Sequence, residues 1–232
     1  GGVNVIKLDT NSRSSLSNND SGGGAGFNST TGNTTFGYLA GEDIASGGVN
    51  NIMLGHQAGT DSTTGDYNAY VGARAGYANT IGQFNVGIGA ETLNADVIGD
   101  GSVAVGLQSL FFQVSDSNNE RTGNVAVGME TGYYNVTGTN NTYLGYHSGL
   151  GVSGQSNSNN TAVGSWSLTA NTTGVSNVAV GTDSMDSNTD GSYNTAVGHD
   201  ALQANTSSNR NIAVGHTALY SNTAADNVAV GQ

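Results

Sequence analysis

The chain has 232 residues, of which 37 are glycine and none is proline or cysteine; only 9% are charged, and the formal net charge is −12. Without cysteine there is no disulfide framework, no thiolate metal cluster and no thiol nucleophile. The five basic residues, Lys7, Arg13, Arg74, Arg121 and Arg210, are too scattered to form the phosphate-neutralising face that nucleic-acid binding needs.

No apolar run approaches the roughly 18 residues of a membrane span, so membrane insertion is not expected. A Gly-Gly start without methionine is what a fragment or a processed product would show. Residues 1–32 read as a lead-in segment and 33–232 as a repeat domain. The repeat is a phrase of the form Asn-x-Ala-Val-Gly, whose closing glycine recurs at Gly37, Gly55, Gly72, Gly89, Gly106, Gly128, Gly145, Gly164, Gly181, Gly198, Gly215 and Gly231. Seven of the eleven intervals are seventeen residues long, and so regular a period dictates the architecture before any local propensity does.

Within each phrase the columns are well defined. Four residues before the glycine stands Asn, with Ser102 the one exception. The residue just before the glycine is always large and apolar: Phe36, Leu54, Val71, Ile88, Val105, Val127, Leu144, Val163, Val180, Val197, Val214 and Val230. This column is expected to be the structural core ladder. The residue two before it, often β-branched (Ile52, Val86, Val103, Val178), shares its face, because alternate residues of a strand point the same way. The alanine between them faces the opposite side, where something approaches closely. Beyond the glycine come a small residue and then either glycine or a long aliphatic, which reads as a second short strand. Turn glycines such as Gly65, Gly82 and Gly174 follow, where a tight corner needs positive φ.

One coil is thus expected to run strand, turn, strand, turn. Successive coils would stack in parallel about 4.8 Å apart, the asparagines forming an amide ladder. The expected fold is all-β: a parallel β-solenoid, or β-roll, of about twelve 17-residue coils and roughly 58 Å in length. So thin a coil encloses few apolar side chains against the ordering entropy of its backbone, which costs about 1–2 kcal/mol per residue. The chain is therefore expected to associate with copies of itself.

The phrase resembles the repeat of the β-roll heads of trimeric autotransporter adhesins. The longer stretch NTAVGHDALQANTSSNRNIAVGHTAL (194–219) and the opening NSRSSLSNNDSG (11–22) are similar to repeats in phage tail-fibre proteins of the marine phage type. The resemblance implies a left-handed homotrimer that serves as a structural and adhesive segment of a phage tail fibre or virion appendage. It implies a virion location and a host-surface glycan or protein receptor. The head of a bacterial trimeric surface adhesin, at the cell surface, is the alternative; the seventeen-residue period, longer than that of adhesin heads, favours the phage reading. A β-helix enzyme acting on polysaccharide is more distant, because the apolar columns lack hexapeptide spacing and no carboxylates cluster outside the repeat register. No catalytic residue, metal or cofactor is expected.

Four residues stand out as possible surface-binding positions. Phe111, Phe112 and Arg121 lie in the one 22-residue interval, whose five extra residues make a loop. A plug for a step in the core is the favoured role for the two phenylalanines, with binding the alternative. Trp166, the only tryptophan, suits either a sugar or a neighbouring chain. His199 and His216 follow consecutive phrase glycines and should stack, as a surface ladder, since a second fixed type of metal ligand is missing.

Overall fold

The computed structural model describes residues 32–44, 47–115 and 121–232, with two short strands ahead of them, β1 (Lys7–Leu8) and β2 (Ser14–Ser15), paired antiparallel. The rest of the lead-in segment and the inserted residues 116–120 lie outside the described residues.

Twelve three-residue strands follow, one per phrase: β3 (Thr34–Phe36), β4 (Ile52–Leu54), β5 (Ala69–Val71), β6 (Val86–Ile88), β7 (Val103–Val105), β8 (Val125–Val127), β9 (Thr142–Leu144), β10 (Thr161–Val163), β11 (Val178–Val180), β12 (Thr195–Val197), β13 (Ile212–Val214) and β14 (Val228–Val230). They form one parallel sheet in strict chain order. Equivalent residues pair without slippage: Val178 with Thr195, Ala179 with Ala196, Val180 with Val197. The chain is therefore a β-solenoid of eleven complete turns between twelve strands, and no helix occurs among the described residues.

The asparagine column locks the stack. The side-chain oxygen of Asn177 accepts the backbone N–H of Asn194 at 3.0 Å, while its Nδ2 donates to the Gly191 carbonyl at the next corner at 2.8 Å. The same pair of bonds recurs at Asn51, Asn68 and Asn160. The ladder is thus mainly amide to main chain; direct amide-to-amide bonds are added in some coils, as from Asn211 to Asn194 at 3.1 Å. Each amide satisfies main-chain groups that a narrow coil would otherwise bury unpaired.

The two faces of the strands are the reverse of the sequence expectation. The core ladder expected at Phe36, Leu54, Val71, Ile88, Val105, Val127, Leu144, Val163, Val180, Val197, Val214 and Val230 points outward; none of these residues is buried, and Phe36 is 57% exposed. The middle residues go inside, with Met53, Tyr70, Ala104, Ala126, Ala162, Ala179, Ala196 and Ala213 fully buried. The reason is parity. The buried asparagine and the middle residue stand two apart and share a face, so anchoring the amide inside turns the intervening β-branched residues out.

The expected second strand is instead a left-handed turn. Position two after each phrase glycine has positive φ, as at Arg74 (57°) and Asp183 (54°), and so does position four, as at Leu202 (52°) and Gly76 (59°). Hydrogen bonds still join these turns coil to coil, as from Leu202 N–H to the Ala218 carbonyl at 3.0 Å. Small residues beside them fit under the next coil; the Ser148 hydroxyl donates to the Ala162 carbonyl at 2.8 Å.

Inside each coil, volume is shared between two positions. Where the strand contributes a large residue the turn contributes glycine: Met53 with Gly59, Tyr70 with Gly76, Tyr143 with Gly149. Where the strand contributes alanine the turn contributes a long side chain: Ala104 with Leu110, Ala162 with Leu168, Ala179 with Met185, Ala196 with Leu202. The pair Ala126 and Gly132 breaks the pattern, and neighbours fill its space. A Cβ on Gly132 would lie 2.8 Å from Leu110 Cδ2 of the preceding coil and 2.9 Å from Tyr143 Cδ2 of the following one.

Candidate functional site

The sheet presents its outer face as two apolar columns, three and one residues before each phrase glycine. Successive rungs are spaced by ~4.8 Å and the columns by ~6.6 Å, so the stripe runs for roughly 53 Å. Ile52, Ile88, Val125, Leu144, Val178, Val197, Ile212 and Val214 are all exposed along it. A continuous stripe of this length exceeds the scattered apolar surface ordinary for a chain on its own. Only threonines such as Thr142 and Thr195 interrupt it, and no charged residue lies in either column.

Phe111 and Phe112 join Tyr133 and Tyr134 of the next coil in a four-ring cluster. Phe111 stacks on Tyr133 at 5.2 Å and Phe112 on Tyr134 at 5.6 Å, while the two neighbours within each coil meet edge-on at 4.7 Å. This corrects the expected core plug: Phe112 is 38% exposed, Phe111 is half-buried, and the inside of this coil is filled by Leu110 and Gln113. Gln113 Oε1 accepts the side-chain amides of Asn124 at 2.7 Å and Asn135 at 3.3 Å. Arg121 is exposed and pairs through its backbone with Asp100; it takes no part in the ring cluster.

Trp166 belongs to a second aromatic group. Its ring meets His147 edge-on at 4.4 Å and Tyr146 at 5.5 Å, and His147 Nε2 stands 2.9 Å from Glu130 Oε2. Trp166 has φ of 59°, a left-handed conformation that a bulky residue adopts at a cost in backbone strain.

Sequence reasoning missed a third aromatic pair. Tyr67 and Phe84 stack at 5.2 Å with their planes 7° apart, and they are 53% and 57% exposed. Both occupy left-handed positions, at φ 57° and 59°. The signal lay in their column: the same place just before the phrase asparagine holds Asn50, Gly101, Gly123, Asn140 and Asn159 in other coils, residues suited to that backbone.

A second buried polar column was also missed, seven residues past the phrase glycine: Asn79, Asp96, Gln113, Asn135, Asn171, Asn188 and Asn205. Asp96 replaces an amide there. It accepts the Gly99 N–H at 3.0 Å and the Ser115 hydroxyl at 3.3 Å, yet burial outweighs these bonds and pushes its pKa up to about 6. Outside, Glu91 bridges two coils, 3.6 Å from Arg74 and accepting from Gln108 Nε2 at 2.8 Å.

These observations define the chain as a parallel β-solenoid with an amide-laddered interior, an apolar outer stripe and exposed ring clusters. No protein-family model, curated protein or solved structure matches it. Among the described residues no helix is long and apolar enough to cross a membrane.

Proposed function

We propose that the chain is a structural and adhesive rod: a left-handed, homotrimeric solenoid segment of a phage tail fibre or related virion appendage, without catalytic activity of its own. The observation that carries this reading is the outward apolar stripe of Ile52, Ile88, Leu144, Val178, Val197 and Ile212 on an uninterrupted sheet face. Covering both columns along the rod removes an apolar surface from water at about 25 cal/mol per Å², a gain that the narrow interior does not supply. Identical chains, sharing the same ~4.8 Å rise and the same columns, match that face rung for rung.

In this reading the half-exposed ring clusters at Phe111, Phe112, Tyr133 and Tyr134 and around Trp166 are where a host-surface glycan stacks. Sugar rings offer flat apolar faces to aromatic side chains, and rings already held by their neighbours lose little freedom on contact. The rod places such ledges at fixed heights along its length. Sedimentation and light scattering test the proposal: an elongated particle of three chains is expected, and a stable folded monomer in dilute solution overturns it. Binding to a glycan array, lost in Phe112→Ala and Trp166→Ala, tests the adhesive part separately.

A further inference from the structure

We propose that His199, Asp200 and His216 form a binding site for a divalent transition-metal ion of the Zn2+ type. His199 and His216 each follow a phrase glycine, on the coils of β12 and β13, and their rings lie face to face at 5.4 Å with planes 19° apart. Sequence spacing brings these two imidazoles together but offers no further ligand. The structure supplies one: the left-handed backbone of Asp200, φ 57°, sets its carboxylate 2.8 Å from His199 Nδ1. One donor atom from each of the three side chains lies within 4.8 Å of the others.

Two imidazoles and a carboxylate are a donor set suited to Zn2+, whose bonds to nitrogen and oxygen are about 2.0–2.2 Å long. Small rotations about the side-chain torsions close the remaining distance, and the His199 side chain, 52% exposed, is free to make them. The main chain beneath is fixed. Asp200 N–H donates to the Thr182 carbonyl at 3.1 Å and Thr217 N–H to the His199 carbonyl at 2.9 Å, so the three ligands start from a rigid base. A fourth position remains for water or an external donor.

The arrangement is particular to this pair of coils. His56, at the equivalent place, stacks on Tyr38 at 5.4 Å and is followed one coil later by Ala73. His147 sits one residue further along its turn, wedged against Tyr146 at 3.8 Å. A bound ion would tie two successive coils together through their side chains, as a clamp between the coils of β12 and β13. It is independent of what the rod is attached to.

The test uses the whole chain, stripped with chelator and reloaded with Zn2+ alone. Elemental analysis after gel filtration is expected to find one zinc per chain, with a rise in melting temperature. Co2+ is expected to give the visible absorption of a low-coordinate nitrogen and oxygen site. His199→Ala and His216→Ala should each weaken binding at least tenfold, and Asp200→Asn by a smaller factor, while His56→Ala leaves it unchanged. Far-UV circular dichroism of each metal-free variant should match the parent, since all these side chains are on the surface. Absence of retained zinc, equal retention in the His199 and His216 variants, or one zinc per three chains contradicts a site built within one chain.

Discussion

Tyr70 and Gly76 occupy one space between them: a Cβ placed on Gly76 would stand 2.5 Å from the ring carbons of Tyr70. Glycine at this turn is therefore a packing partner as well as a conformational one. Leu93, Leu110, Leu168 and Leu202 hold the same left-handed turn position at φ 47–55° in coils whose strand carries glycine or alanine. The backbone there accepts a leucine once the strand residue is small.

That exchange predicts the outcome of a double-mutant cycle. Tyr70→Ala alone should cost about 3–5 kcal/mol, through lost burial and the cavity it leaves. Gly76→Leu alone should also destabilise, because the ring is in the way. The double variant should recover more than 1 kcal/mol relative to the sum of the two, measured by denaturant titration. Additive losses would show that the two positions do not share volume.

A pH dependence follows from Asp96. Its pKa, about 6 when folded, lies above the ordinary 3.8, so between these values the folded chain holds a proton that the unfolded chain has released. Stability therefore falls as pH rises from about 4 to about 6 and is level above, the drop from this group being on the order of 3 kcal/mol. Burial raises Asp61 and Asp186 as well, which adds slope of the same sign. Comparing the parent with Asp96→Asn isolates the one group. The variant restores the amide of its column and should be the more stable at neutral pH, with a flatter profile between pH 4 and 6. Parallel profiles would contradict the assignment.

The amide ladder makes a different prediction. Asn177→Ala removes the only acceptor for the buried Asn194 N–H, while the Gly191 carbonyl keeps its bond from Asn188 Nδ2 at 3.0 Å. With one buried group orphaned, the loss should be about 1–3 kcal/mol. Hydrogen exchange should quicken at Asn194 first. An unchanged exchange rate there would remove the ladder from the account.

Much of this architecture was legible in the sequence, because the glycine column and the asparagine column each mark a geometric requirement of stacking. At Gly181, φ is 137° and any Cβ would run into the Gly198 carbonyl of the next coil, so no other residue fits. The facing of the strands was not legible from hydrophobicity: Val180 looks like core and Ala179 like a close-approach residue, whereas the buried parity of Asn177 decides the matter. The second strand was misread because Leu202 and Met185 suggest extended backbone, while their positive φ is imposed by the corner. The histidine stack was visible by counting, but Asp200 joins it only through the backbone turn. The pairing of Phe111 and Phe112 with Tyr133 and Tyr134 was hidden by the irregular interval between their coils.

Most of the account depends on the apolar stripe being covered by other copies of the chain. Its most direct test uses the absence of cysteine from the sequence, which lets a single thiol report on one position. Val180→Cys places that thiol in the outward column, and Thr173→Cys places it at an exposed site outside the sheet. With a short bifunctional thiol reagent at low protein concentration, the account predicts covalently joined chains for Val180→Cys and single chains for Thr173→Cys. Single chains from both, with both thiols equally reactive toward a small maleimide, would contradict it.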